Sequence, residues 1–274
     1  MPLFARAPKP PPPDQLFSTI EAWQGDRPWG RVLDAGTGRH SLEWILSLGA
    51  SSWHGVTAGA PGEGELRRAV GDRMRPVDRL ISGNWLDPEF LRGERYDTVL
   101  ADYLLGAIDG FAPYFQDRLF ARLRPHVGRV LYVVGLDPYL DPSLPDPSKP
   151  ADAGPSDPEA AAIVLEIARL RDACILLAGH RCYREYPLEW AERSLASSGY
   201  VVQRSQRLPI VYGRRFVDGQ LDVCERKLPL FHDRKLATAM AGSITELRGR
   251  ALALHDRLGG LRTGADWIVE ARPA

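Results

Sequence analysis

The stretch RVLDAGTGRHSLEW, residues 31–44, holds the pattern that decides the fold. It begins as a short apolar strand and meets a carboxylate at Asp34. Gly36 and Gly38 follow, and Leu42 and Ile45 then recur at helical spacing. The pattern predicts a strand, a tight turn and the start of a helix, where free backbone N–H groups can bind a ligand.

Short apolar runs alternate with helical patterns over most of the 274 residues. The predicted strands are 31–35, 52–57, 79–82, 96–101, 130–134, 200–203 and 266–271. The predicted helices are 41–48, 63–71, 88–92, 112–123, 158–178 and 188–198. This alternation predicts an α/β fold in which helices cover both faces of a mostly parallel sheet.

Two segments interrupt the alternation. Prolines are so dense over 137–158 that no regular element can form, and we expect a loop that covers a site after the fifth strand. Residues 212–260 contain an apolar stripe that runs from Leu236 to Leu258 at helical spacing. Such a face must be buried, either across a pocket or on a second copy of the chain, and we predict a homodimer through 234–258.

The composition excludes several classes of protein. Lys and Arg together number 35, as do Asp and Glu, so no basic surface for nucleic acid or an anionic membrane is indicated. We find no apolar run long enough to span a membrane, and residues 1–28, a proline-rich tail and a lead-in helix, lack the apolar core of a secretory signal. The three cysteines and the scattered histidines form no metal-binding spacing. We expect a reduced, cytoplasmic protein without a metal.

Two kinds of ligand compete for the first turn. A dinucleotide enzyme needs a third small residue for close helix packing, and Arg39, His40 and Ser41 stand near that place. The carboxylate of Asp34 also suits a ligand with a positive amino group better than an anionic pyrophosphate. S-adenosylmethionine carries such an amino group, together with a carboxylate that can accept N–H groups at the helix start.

Further motifs agree with this ligand. The chain from about residue 29 to 271 resembles the class I S-adenosylmethionine-dependent methyltransferases. VLDAGTG is similar to the first motif of that family, and SGNWLDPEF stands where the family contacts adenine. YDTVLADYLLGAI resembles the fourth strand and its loop, LRPHVGRVLYVV the helix and fifth strand, and ADWIVEARPA the antiparallel last strand. The resemblance implies a Rossmann-like, seven-stranded sheet in one domain, 29–274, with a helical insertion before the last strand.

The resemblance also implies which residues bind the cofactor. They are Asp34, Gly36, Thr37, Gly38, Thr57, Asn84, Trp85 and Asp102. One position departs from the family pattern, because the second strand ends at Thr57 and Ala58, where an acid usually binds the ribose hydroxyls. Thr57 can bond one hydroxyl, or Glu63 or Glu65 can approach the ribose instead.

The acceptor is expected at the carboxyl ends of the fourth and fifth strands, where open α/β sheets bind ligands. Tyr139 and Glu185 lie in the two segments concerned, and His180 is the predicted general base, because imidazole titrates near neutrality. The predicted substrate-binding residues are Tyr103, Asp137, Arg181, Tyr183, Arg184 and Tyr186.

These observations predict a methyltransferase that acts on an oxygen, nitrogen or sulfur atom of a small molecule. Two alternatives belong to other classes. A cofactor-binding scaffold without activity would fit the missing ribose acid at Thr57. A nicotinamide-dependent oxidoreductase would fit the fold, although the glycine pattern and the antiparallel last strand argue against it.

Overall fold

The seven predicted strands form one sheet. A computed structural model describes residues 14–139 and 157–274. The strands are β1 Arg31–Asp34, β2 Ser52–Thr57, β3 Arg79–Ser82, β4 Tyr96–Asp102, β5 Val127–Leu136, β6 Tyr200–Tyr212 and β7 Leu261–Pro273. Their order is β3-β2-β1-β4-β5-β7-β6, and β7 is antiparallel to both of its neighbours. The predicted fold class, a Rossmann-like sheet with an antiparallel last strand, is confirmed.

Helices cover both faces of this sheet, as the alternating pattern predicted. They are α1 Gln15–Gln24, α2 Arg39–Ile45, α3 Ala60–Val70, α4 Leu104–Ala107, α5 Gln116–Leu123, α6 Pro158–Leu177, α7 Leu188–Ser197, α8 Arg214–Lys227 and α9 Arg234–Leu258. Apolar side chains of α1, α2 and α3 form one buried layer, and those of α5 and α7 contribute to another. Burial of these two layers is the main stabilising contribution to the fold.

The helix predicted at 88–92 is wrong, because these residues form turns. The Asp87 carboxylate accepts the N–H of Glu89 as an N-cap would, but Leu91 then adopts a left-handed conformation with φ 57°. Gly93 follows with φ 79°, so the chain turns towards β4. Left-handed residues cannot continue a right-handed helix.

The helical insertion before the last strand is present, and it joins α6 in a separate buried cluster. Strands β6 and β7 continue their pairing beyond the end of β5, to Tyr212 beside Leu261, and α8 and α9 lie between these two strands in the chain. Ile244 and Leu247 of α9 are buried against residues of α6 and α8, such as Ile163. The apolar stripe of α9 is therefore covered mainly within the chain, which removes the main argument for the homodimer but does not test it.

Two predictions lie mostly outside the described residues. The tail predicted before the lead-in helix is among them, although α1 itself occupies the lead-in segment, capped by the Asp14 carboxylate, which accepts the N–H of Leu16. The covering loop predicted at 137–158 is described only at its two ends. Within the described ranges, no helix is long and apolar enough to cross a membrane.

Candidate functional site

Two hydrogen bonds of Thr37 fix the turn after β1. The N–H of Thr37 donates to the carbonyl of Val56 at 2.6 Å, and its hydroxyl donates to the carbonyl of Asp34 at 3.2 Å. These bonds tie the turn to β2 and leave Gly38 facing free space, because a Cβ there would meet no atom within 4 Å. The backbone at Gly38 can therefore be approached closely by a ligand.

A cavity of about 210 Å³ opens beside this turn, at the carboxyl edge of the sheet. Its lining includes Gly36, Gly38, Thr57, Asn84 and Phe111. The walls combine backbone groups of the turn with apolar side chains, as is usual for ligand sites. Six of the eight predicted cofactor residues thus share one cavity with Phe111, which sequence reasoning missed, and the other two, Asp34 and Asp102, line neither cavity.

Asn84 and Trp85 have different roles in the wall. The Asn84 amide donates to the Phe111 carbonyl at 3.1 Å, and its side-chain oxygen accepts the N–H of Leu86 at 3.0 Å. That oxygen keeps a second lone pair for a ligand. Trp85 is buried, and its indole N–H donates to the carbonyl of Ala35 at 2.7 Å. Trp85 thus stabilises the turn after β1 through the single hydrogen-bond donor of its side chain.

A second cavity, of about 400 Å³, continues from the first past Thr57. Thr37, Gly38 and Thr57 line both cavities. Of the two glutamates considered for the ribose, Glu63 is paired with Arg67 at 2.8 Å, whereas Glu65 lines the second cavity. Glu65 is therefore the better placed of the two.

Two carboxylates lie at the ends of the neighbouring strands β1 and β4, and Asp34 is fully buried whereas Asp102 is half-buried. Asp34 is 0 % exposed, and one oxygen of Asp34 and one of Asp102 have no hydrogen-bond partner among the described residues. Burial raises the pKa of Asp34 to about 6. Burial, helped by the Asp34 charge, raises the pKa of Asp102 to about 7. Buried carboxylates without a partner are costly unless a cation or another donor completes them.

A second cluster of polar side chains lies at the carboxyl edge of the sheet, where the methyl acceptor is expected to bind. Tyr103 follows β4 in a left-handed conformation, φ 47°, and its hydroxyl donates to the Asp266 carboxylate at 2.7 Å. The Tyr139 and Tyr212 hydroxyls are 2.7 Å apart. Burial raises the pKa of Asp266 to about 6 and that of Glu185 to about 7. A strained tyrosine beside buried acids is typical of a functional site.

The predicted base and several predicted substrate residues lie elsewhere. His180 is exposed, and the Lys227 ammonium donates to its Nδ1 at 3.1 Å. Arg181, Tyr183 and Arg184 are also exposed, and the Arg181 guanidinium lies 3.6 Å from the Asp109 carboxylate. None of these four residues lines either cavity.

Asp137 and Tyr186 have structural contacts. The Asp137 carboxylate pairs with the buried Arg207 at 2.6 Å and accepts the N–H of Leu188 at 3.2 Å, so it caps the start of α7. The backbone carbonyl of Tyr186 accepts the indole N–H of Trp267 at 3.0 Å. Both residues hold the segment before α7 against the end of the sheet.

Asp266 is a candidate that sequence reasoning missed. A signal was present, because Asp266 is the first residue of the predicted last strand, 266–271, and that strand was expected to be antiparallel. The first residue of an antiparallel strand lies at the edge where its parallel neighbours end. In the register of the sheet Asp266 lies beside Leu136, the last residue of β5.

The fold is shared with solved methyltransferase structures. No protein-family model matches the chain, and no curated protein matches it in sequence. A Bacillus halodurans protein proposed to be a methyltransferase aligns with TM-score 0.57 and 10 % identity, over 95 % of this chain and 99 % of that one. The YcgJ protein of Bacillus subtilis aligns with TM-score 0.54 and 15 % identity, over 94 % and 97 %.

A third structure contains a ligand. It is the magnesium protoporphyrin IX methyltransferase of Synechocystis with bound S-adenosylhomocysteine, at TM-score 0.52 and 14 % identity, over 95 % of this chain and 83 % of that one. At such identities the likeness shows the fold, which is that of the class I methyltransferases.

Proposed function

We propose that the protein is an S-adenosylmethionine-dependent methyltransferase that acts on a small molecule in the cytoplasm. The observation that carries the proposal is the pair of incompletely bonded carboxylates, Asp34 and Asp102, at the ends of β1 and β4, where the glycine turn that follows Asp34 lines a cavity. A cationic amino group would complete both carboxylates. An anionic pyrophosphate would not, which disfavours a nicotinamide cofactor.

The residues present fit this cofactor. Asp34 and Asp102 would hold the amino group, and the backbone at Gly38 would accommodate the neighbouring atoms. Asn84 and Phe111 would contact adenine, and Thr57 and Glu65 would bond the ribose. When bound, S-adenosylmethionine supplies an activated methyl group for an in-line displacement at an oxygen, nitrogen or sulfur nucleophile.

The chain then has to orient the acceptor, exclude water and remove a proton. We assign the role of general base, which takes up the proton of the acceptor, to the Glu185 carboxylate rather than to His180. Glu185 is largely buried, lies against Gly106 of α4, and has no ion-pair or hydrogen-bond partner among the described residues. A base with a pKa near neutrality is well matched to this task. The Tyr103 hydroxyl, fixed by Asp266, would position the acceptor.

A methyl-transfer assay tests the proposal. The wild type, incubated with methyl-labelled S-adenosylmethionine and fractionated small-molecule extracts, should label one or a few acceptors. A Glu185→Gln variant should lose about a hundredfold or more in kcat, as expected when a general base is removed. The matched control is Glu246→Gln on the exposed face of α9, which should keep full activity.

The same assay separates enzyme from scaffold. Binding of S-adenosylmethionine without labelling of any extract or protein would favour an inactive binding protein. Labelling that the Glu185→Gln variant performs as fast as the wild type would remove Glu185 from the mechanism and leave the methyltransferase assignment intact.

A further inference from the structure

The second cavity, beyond Thr57, has walls of a different chemistry from the first. Arg39 of α2 and Arg68 of α3 both line it, together with Glu65. Neighbouring arginines on the same surface are paired, since Arg67 contacts Glu63 at 2.8 Å and Arg73 contacts Glu43 at 2.6 Å. Within residues 14–139 and 157–274, Arg39 and Arg68 have no hydrogen-bond or ion-pair partner. The cavity therefore carries an excess of positive charge.

This charge lies at the ribose edge of the first cavity. The two cavities share Thr37, Gly38 and Thr57, so a group that leaves the first cavity at Thr57 enters the second directly. Strand β2 ends here at Thr57, and the residues that follow are Ala58 and Gly59 rather than an acid. In nucleotide-binding sheets, an acid at this place binds the ribose hydroxyls, and an arginine in its stead accommodates a phosphate on the ribose.

We propose that the two cavities together bind an adenosine nucleotide that carries a phosphate on its ribose, at the 2′ or 3′ oxygen. The phosphate lies between Arg39 and Arg68, whose guanidinium groups make charge-assisted hydrogen bonds to it. Glu65 accepts a hydrogen bond from the ribose hydroxyl that carries no phosphate. Such a nucleotide competes with S-adenosylmethionine for the adenosine cavity, and the proposal shares this cavity and Glu65 with the proposed function, whereas Arg39 and Arg68 belong to the proposal alone.

Calorimetric titration with four probes tests the proposal: adenosine 2′-monophosphate, adenosine 3′-monophosphate, adenosine 5′-monophosphate and adenosine. One of the first two should bind about tenfold or more tightly than adenosine, and its advantage should shrink as salt is raised. The Arg39→Gln/Arg68→Gln double variant should lose this advantage while it binds adenosine as the wild type does. Arg118→Gln, on the exposed side of α5 and in the lining of neither cavity, is the control for the loss of a surface arginine and should change nothing.

Equal affinity for adenosine and both ribose phosphates would overturn the proposal, as would a double variant that binds like the wild type. Inorganic phosphate is a further probe. If it binds as tightly as the ribose phosphates, with the same dependence on both arginines, the cavity is a free-anion site and the proposal is also overturned. S-adenosylhomocysteine, titrated in parallel, separates the two claims, because its failure to bind affects the methyltransferase assignment and leaves the ribose-phosphate result standing.

Discussion

Asp34 and Asp102 are two residues whose carboxylates lack part of their hydrogen bonds, although most polar groups around them are paired. In the sheet Asp34 lies beside Leu100, so Asp102 follows two residues further along the neighbouring strand. Each carboxylate keeps one oxygen without a partner among the described residues. Such a pair is expensive to bury in the ionised state, and the cost falls when a cation is bound between the two groups.

The first prediction concerns the pH dependence of ligand binding. The raised pKa values, about 6 for Asp34 and about 7 for Asp102, keep both groups partly protonated in neutral solution. A cationic amino group favours their ionised forms, so S-adenosylhomocysteine should release protons as it binds. Its affinity should rise with pH up to about 7, by at most about tenfold per unit for each proton released, and then level off. Titration in two buffers of different ionisation enthalpy measures the released protons.

An Asp102→Asn variant is the comparison for this prediction. It should bind more weakly at pH 7 and release fewer protons. Without ligand, the raised pKa of Asp102 stabilises the fold at pH values below the ordinary carboxyl pKa, and this stabilisation is lost as the pH rises through about 7. The melting temperature of the wild type should therefore fall more steeply from pH 5 to 8 than that of the variant. The same dependence of melting temperature on pH in both proteins would contradict the raised pKa of Asp102.

At the scale of elements, α9 is the clearest case of a face that is covered by its own chain. Leu247 is 2 % exposed and belongs to the cluster of α6, α8 and α9. Arg248 of the same helix bonds Asp218, Asp222 and Glu225 at about 3.0 Å, which fixes α9 on α8. These contacts place a small helical layer next to the extended part of the β6–β7 ribbon.

The second prediction follows from this burial. A Leu247→Ala variant should lose about 2–5 kcal/mol of unfolding free energy, because it leaves a cavity among α6, α8 and α9. Leu236→Ala, at the exposed start of α9, is the matched control and should lose less than about 1 kcal/mol. Chemical denaturation measures both. Equal losses would mean that the cluster does not hold the helix in place.

The third prediction concerns an ion-pair cluster that joins the chain just after α1 to the sheet. Glu270 of β7 is fully buried and bonds Arg27, Arg204 and Arg272 at 2.8–3.1 Å. Burial by itself would raise the pKa of Glu270, but the three guanidinium groups hold it below its ordinary value. A Glu270→Gln variant should be destabilised by about 3 kcal/mol, since it leaves the guanidinium groups without a counter-charge. Glu94→Gln, in a partly exposed pair with Arg31, should cost less than about 1 kcal/mol in the same denaturation experiment.

The sequence predicted the central strands well and the outer pair poorly. The apolar runs marked β1, β2 and β4 closely, because a parallel strand that is buried on both faces is mostly apolar. Strands β6 and β7 were predicted at 200–203 and 266–271, yet they extend over Tyr200–Tyr212 and Leu261–Pro273. Their additional residues, such as Arg204, Ser205 and Gln206, are polar and exposed, so their strand structure depends on pairing with each other.

The same distinction applies to the candidate site. Asp34, Gly36 and Gly38 lie in one local motif, so the sequence alone can single them out as candidates. Asp266 and Glu185 come from segments far apart in the chain, and only the topology brings them to the sheet edge. Their significance rests on burial, which no local pattern encodes.

At the scale of the whole molecule, the homodimer through 234–258 remains a proposal. Since the buried side of α9 is used within the chain, a dimer would have to use outward residues such as Leu236. Sedimentation of the wild type beside a Leu236→Glu variant tests this. The proposal expects the wild type to sediment as a dimer and the variant as a monomer, whereas identical sedimentation of the two would contradict this interface.

The central claim is that the cavity beside the first turn binds an adenosyl cofactor at the backbone of Gly38. A side chain at Gly38 would enter free space, whereas one at Gly36 would lie 2.8 Å from the Leu104 side chain. Gly38→Val can therefore block the ligand with little disturbance of the fold. Gly49→Val is the matched control, because a Cβ at Gly49 also meets no atom within 4 Å and Gly49 lines neither cavity.

Calorimetric titration of S-adenosylhomocysteine into the wild type and these two variants is the most direct measurement. The account predicts one ligand per chain for the wild type and Gly49→Val, and no measurable binding for Gly38→Val at an unchanged melting temperature. The absence of binding to the wild type, or equal binding to all three proteins, would contradict it.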